Sequence, residues 1–107
     1  MNQISSVGLQ EMLDSTSPPH LLDVREVYEH EVARLPSSCL IPLGELAERF
    51  EEIAHWKNEP VVVYCHHGIR SQHAIAFLSS VGFSDLTNLE GGIDAWSVSV
   101  DPDVARY

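Results

Sequence analysis

The stretch Val61-Val62-Val63-Tyr64-Cys65-His66-His67-Gly68-Ile69-Arg70-Ser71 constrains the fold of this chain more than any other. Four β-branched or aromatic residues in a row, all apolar, read as a strand covered on both faces, as in a parallel sheet with helices above and below. A short loop with a single glycine follows. The pair Arg70-Ser71 then opens a segment in which Ala74, Phe77, Leu78 and Val81 fall at i, i+3, i+4 and i+7, the spacing of an amphipathic helix, with Gly82 placed to end it. A strand running through a tight loop into a helix is the unit from which parallel α/β sheets are built. Ligands of such sheets bind outside the carboxyl ends of the strands.

The rest of the chain repeats the alternation. Leu21-Leu22-Asp23-Val24 reads as a strand after the breaker Ser17-Pro18-Pro19, and Cys39-Leu40-Ile41 as a shorter one stopped by Pro42. Leu86-Thr87-Asn88-Leu89 is a further strand, and Gln3-Ile4 adds an edge pairing. Val7, Leu9, Met12 and Leu13 suggest a first helix capped by Ser5 or Ser6. Short helices are expected around Val27–Val32 and Ile93–Val98. Leu43, Leu46, Phe50 and Ile53, with Glu45, Glu48, Arg49, Glu51 and Glu52 on the other face, predict one amphipathic helix. The expected architecture is α/β, a small, mainly parallel central sheet flanked by helices on both faces. At 107 residues the chain reads as one domain, 1–107, long enough to bury a core without staples.

Charge narrows the partners. The formal net charge is −10, which disfavours both nucleic acid and an anionic membrane surface, since each is bound through Lys and Arg. No apolar run is long enough to span a bilayer, and the residues after Met1 carry no leader pattern. The two cysteines, Cys39 and Cys65, form no CxxC pair, so zinc is unsupported. With no secretion signal, the expected location is cytoplasmic, with both thiols free. The acids are unevenly spread: none lies between Pro60 and Ser84. That gap holds Arg70, His66, His67 and His73, and suggests a place cleared for an anion.

Cys65 stands where this gap meets the strand end. The amides of a tight loop and of a helix start converge there on negative charge, and such a field favours the thiolate. Gly68 supplies a positive φ if the turn needs one, and Arg70 adds a cation on the rim. The expected product is a reactive thiolate in an anion cradle. Cys39, in an apolar run, reads as a core thiol. Trp96 reads as core packing and His73 as a surface residue. Arg25, at the end of its strand, either lines the substrate mouth or pairs with Glu26 or Glu29. Asp23 reads as an acceptor bracing the loop.

These residues resemble a known family. Cys65-His66-His67-Gly68-Ile69-Arg70-Ser71 is similar to the active-site loop Cys-x-x-Gly-x-Arg-Ser of the rhodanese sulfurtransferases. Leu22-Asp23-Val24-Arg25-Glu26, Ile41-Pro42-Leu43 and Leu89-Glu90-Gly91-Gly92-Ile93-Asp94-Ala95-Trp96 resemble three further segments of that family, in the same order. The resemblance implies a persulfide mechanism. Cys65 would take sulfur from a small anionic donor such as thiosulfate and pass it to a thiol, cyanide or a protein acceptor, with no metal or organic cofactor. Cys65 would be catalytic; His66, His67, Gly68, Ile69, Arg70, Ser71 and Arg25 would bind substrate; Asp23 would support the loop. His66 and His67 could tune donor access or proton transfer through their side chains, but the expected role is that of their backbone amides. Spacing argues against phosphatase chemistry, because Cys65 to Arg70 is Cys-x4-Arg and cysteine phosphatases use Cys-x5-Arg. The alternative within the family is a sulfur-carrier or protein-interaction module with little turnover. One segment departs from the pattern: Ala33–Leu40 replaces the family's Gly-His-Ile-x-Gly-Ala, with Arg34 in place of the histidine and both glycines lost.

Overall fold

A computed structural model describes residues 2–107. Five strands form one sheet in the order β1-β5-β4-β2-β3, and every neighbouring pair is parallel. The strands are β1 (Asn2–Ile4), β2 (His20–Asp23), β3 (Cys39–Leu40), β4 (Val61–Tyr64) and β5 (Leu86–Leu89). The helices are α1 (Ser6–Leu13), α2 (Val27–Val32), α3 (Leu46–Arg49), α4 (Arg70–Ser80) and α5 (Gly92–Ser99).

The apolar run Val61–Tyr64 becomes the central strand, and its side chains alternate between two cores. Val61, Val63 and Cys65 face one, with Ile41, Leu46, Ile53, Ala74, Ile75 and Leu78. Val62 and Tyr64 face the other, with Leu9, Leu35, Ile93 and Trp96. Helices therefore cover both faces, α3 and α4 on one side and α1 and α5 on the other. This explains why no position of β4 is polar. Ser5 caps α1 by accepting from the Gly8 amide (3.0 Å). Glu26 and Glu29 form a reciprocal capping box at the start of α2. No helix among the described residues is long and apolar enough to cross a membrane.

The single helix expected from Leu43 to Ile53 is broken. A 3-10 turn covers Leu43–Glu45, α3 follows, and a second 3-10 stretch runs Phe50–Trp56, with Ile53 out of helical geometry (φ −116°, ψ 19°). The apolar residues explain why. Leu43 to Leu46, and Phe50 to Ile53 to Trp56, are steps of three, which a 3-10 winding brings into line, and only Leu46 to Phe50 is the step of four that an α turn wants. The segment winds to keep these side chains on the sheet.

The departing segment Ala33–Leu40 keeps the shape its lost glycine would have eased. Ser37 is the one described non-glycine residue with positive φ (61°), a conformation that costs a side-chain-bearing residue about 1–2 kcal/mol. The turn is pinned from the sheet: the Tyr64 hydroxyl donates to Ser38 Oγ (2.9 Å) and accepts from the Leu35 amide (3.2 Å). Burial of that hydroxyl pushes its pKa up to about 12.

Candidate active site

Cys65 lies directly after the central strand, and its neighbours converge on its sulfur. The Gly68 amide donates to Sγ at 3.1 Å and the Ser71 amide at 3.4 Å, with Ser71 Oγ also 3.4 Å away. Gly68 holds φ +105°, the turn that aims its N–H back at the sulfur and that a side chain would resist. The loop residues thus wrap one atom. Cys65 and Ser71 are buried, whereas His67 and Ile69 are exposed around the rim.

A second layer holds this ring from behind. Asn88, in β5 and buried, accepts from the Ser71 hydroxyl and donates to the Gly68 carbonyl (3.4 Å) and to Gln3 (3.0 Å). Sequence reasoning missed it, although a polar residue inside the run Leu86–Leu89 was a visible signal. From the other side the first turn of α5 grips the loop. The Ile93 amide donates to the Cys65 carbonyl (2.9 Å) and the Asp94 amide to the His66 carbonyl (3.1 Å).

That grip explains the second of the paired glycines. Gly92 has φ +63°, and a Cβ there would lie 2.4 Å from the His66 carbonyl oxygen and 2.6 Å from that of Cys65. Gly92→Ala is therefore expected to lose about 2 kcal/mol or more of stability, from left-handed backbone strain plus the clash. Thermal unfolding tests this. A midpoint equal to that of the unmodified protein would show that α5 does not brace the loop.

The acid-free stretch does not remain acid-free in space. Glu29, from α2, receives Arg70 Nη1 and Nη2 on its two oxygens (2.6 and 2.9 Å), a bidentate pair. The carboxylate is buried, while Arg70 keeps about a third of its side chain exposed. Arg70 holds the Glu29 pKa down to about 2. The expectation of a free cation on the rim is corrected accordingly: Arg70 reaches the mouth as half of a neutral pair.

Arg25 is the second correction. It does not line a substrate mouth, because its side chain is fully buried and spent on the protein itself. Its Nε and Nη2 donate to the two oxygens of Asp23 (2.9 and 2.7 Å), Nη2 also to the Ala33 carbonyl (2.5 Å), and Nη1 to the Tyr107 hydroxyl (2.8 Å). A guanidinium in the core must meet acceptors on every side, and Asp23 supplies them. Asp23 also accepts from the Arg25 amide (2.9 Å) and lies 2.8 Å from His30 Nδ1. It ties the end of β2 to α2, the helix that delivers Glu29.

The two loop histidines stack on one another (centroids 4.0 Å apart, 28° between planes). The ring of Tyr107 lies flat on the other face of His66 (3.9 Å, 7°). Burial lowers the His66 pKa, and its Nε2 has no hydrogen-bond partner. Nothing in the sequence motifs pointed to Tyr107. Cys39 is half-buried with its thiol pKa raised by desolvation, and lies on β3. A groove lined by Pro18, Pro19, His20, Trp56 and Trp96 among others sits at the amino ends of the strands, away from Cys65.

An all-parallel sheet with a cysteine ringed by loop amides at the carboxyl end of its central strand defines a class of α/β thiol proteins. Comparison places the chain within it: the rhodanese-like domain family matches residues 7–99, so the chain belongs to the rhodanese-like domain family. A probable adenylyltransferase/sulfurtransferase of Mycobacterium tuberculosis, MoeZ, is 36% identical over 92% of this chain. The chain spans only 25% of that relative's length. A sulfurtransferase of Allochromatium vinosum is 35% identical over 98% of this chain and 96% of its own. Among solved structures, a rhodanese-related protein of Thermoplasma volcanium superposes with a TM-score of 0.82 at 31% identity, covering 94% of both chains.

Proposed function

We propose that this protein is a sulfurtransferase that carries sulfane sulfur as a persulfide on Cys65. The observation that carries the reading is the ring of donors around Sγ, with Gly68 and Ser71 already aimed at it. Among the described residues, the amides of His66, His67 and Ile69 make no hydrogen bond, so they are available to a second sulfur bound beyond the first. This favours the backbone role for the two histidines. Their side chains are occupied with each other and with Tyr107.

In the first half-reaction the Cys65 thiolate attacks the outer sulfur of thiosulfate. The new S–S bond forms as the donor's S–S bond breaks, and sulfite leaves with the electron pair. The product is Cys65–S–S⁻, its terminal charge received by preformed loop amides. In the second, a thiolate, cyanide or a protein nucleophile attacks that terminal sulfur and returns Cys65 to the thiolate. Splitting the transfer predicts ping-pong kinetics. Arg70 keeps Glu29 from adding an uncompensated negative charge beside an anionic donor, and its exposed edge faces the same mouth.

Intact mass tests the reading directly. Thiosulfate is expected to add one sulfur atom to the protein, and cyanide to remove it. A protein that gains none from thiosulfate or from a persulfide donor is not a sulfurtransferase. Arg70→Ala leaves Glu29 without its counter-ion, held only by the Glu26 amide and the Tyr107 hydroxyl, and is expected to lower kcat/KM for thiosulfate roughly tenfold or more, the scale of one charge-assisted contact. Unchanged kinetics would remove Arg70 from the site.

A further inference from the structure

The segment after α5 does something no motif announced. The chain turns at Val100–Val104, where both valines pack against the second core, and then runs back to the mouth of the Cys65 loop. There Arg106 donates to both oxygens of Asp94 (2.9 and 3.2 Å), the residue whose amide holds the His66 carbonyl. Tyr107 follows. Its ring covers His66, the first residue after Cys65. Its hydroxyl donates to Glu29 Oε2 (2.7 Å) and accepts from Arg25 Nη1 (2.8 Å). Because Glu29 grips Arg70, Tyr107 is tied to both ends of the loop at once, to His66 directly and to Arg70 through one carboxylate.

We propose that Tyr107 is a specificity-determining residue, a gate whose ring narrows the approach to Cys65 and favours small linear sulfur donors and acceptors over bulky thiols. The inference rests on the sulfur-transfer reading for its substrates, but its geometry stands independently of it. The hydroxyl's bonds to Glu29 and Arg25 are charge-assisted and part-buried, and the anchor that yields is the outer one. Arg106 is largely exposed, and an exposed ion pair holds a segment only weakly. The closed position leaves His66 Nε2 buried without a partner, a cost that opening relieves by returning it to water. A bulky acceptor must meet the cost of displacing the ring and a small one need not, and that difference is what specificity consists of.

The test compares probes of two sizes on the full chain. Iodoacetamide is the small thiol reagent and a fluorescein-bearing maleimide the bulky one, with labelling assigned to Cys65 rather than Cys39 by peptide mass. Tyr107→Ala is expected to raise the bulky-to-small rate ratio about tenfold, the order of discrimination one side chain supplies. It is expected to raise the turnover ratio for glutathione over cyanide in the same direction. Arg106→Ala, which removes only an exposed anchor and keeps the protein assayable if the tyrosine variant does not fold, should shift both ratios the same way by less. Tyr107→Phe keeps the stacked ring but loses the hydroxyl's two hydrogen bonds, and should raise the ratio by clearly less than Tyr107→Ala does. An unchanged alkylation ratio in Tyr107→Ala, or a Phe variant as open as the Ala variant, overturns the gate. A protein that takes up no sulfur overturns the sulfur-transfer reading instead, and leaves the alkylation ratio to decide the gate alone.

Discussion

Cys65→Ser is expected to abolish sulfur uptake while leaving the fold in place. The substitution exchanges the atom at the centre of the donor ring for a hydroxyl oxygen, which those same amides can satisfy, so burial leaves no unpaired polar group. A serine hydroxyl here has no adjacent base to activate it: the ring of His66, the residue that follows, is stacked face to face with those of His67 and Tyr107. Turnover should fall roughly a thousandfold or more, the scale seen when a covalent nucleophile is removed. Unfolding by urea should move little. Mass spectrometry after thiosulfate treatment decides the matter, since a serine variant that gained sulfur as readily as the unmodified protein would place the nucleophile elsewhere.

The largest effect on stability is expected from Asp23→Ala. Asp23 and Arg25 are both fully buried and meet through two hydrogen bonds. Removing the carboxylate leaves a guanidinium in the core with only two carbonyls and the Tyr107 hydroxyl to face it. Breaking a buried pair from one side costs about 3–5 kcal/mol. For a chain of this size that corresponds to a fall in Tm of roughly 12 °C or more. The double variant Asp23→Ala with Arg25→Met should recover part of the loss, because no charge is then stranded. Should Asp23→Ala melt with the unmodified protein, the pair would not be what joins β2 to α2. Activity should fall with stability in the single variant, since α2 delivers Glu29 to Arg70.

Much of this was legible before any coordinates. The continuous run Val61–Tyr64 announced a central strand because only a strand covered on both faces can be apolar at every position. The stop at Gly68 and the periodicity from Ala74 to Val81 announced the loop and α4. Even the break in the Leu43–Trp56 segment was written in its steps of three, which suit a 3-10 winding better than a continuous α-helix. The position of Cys65 at the strand's carboxyl end followed from local order alone.

The side-chain partnerships across the site were not legible. Glu29 and Arg70 are 41 positions apart, Arg25 and Tyr107 are 82 apart, and no local periodicity links such pairs. Charge counted along the chain showed a segment without acids; charge counted in space shows a carboxylate on its only arginine. Arg25, at a strand end in a segment resembling a catalytic family, read equally well as a substrate contact or a partner of a nearby acid. The packing of α2 and Tyr107 around it, which left it no solvent, settled that. By itself, the sequence determined which backbone would turn around which sulfur, because strands, tight loops and helix starts are local matters of residue size, branching and φ. Only the tertiary structure decided which charges are free, which are spent and what stands over the mouth, because those depend on what distant segments bring to the same few ångströms.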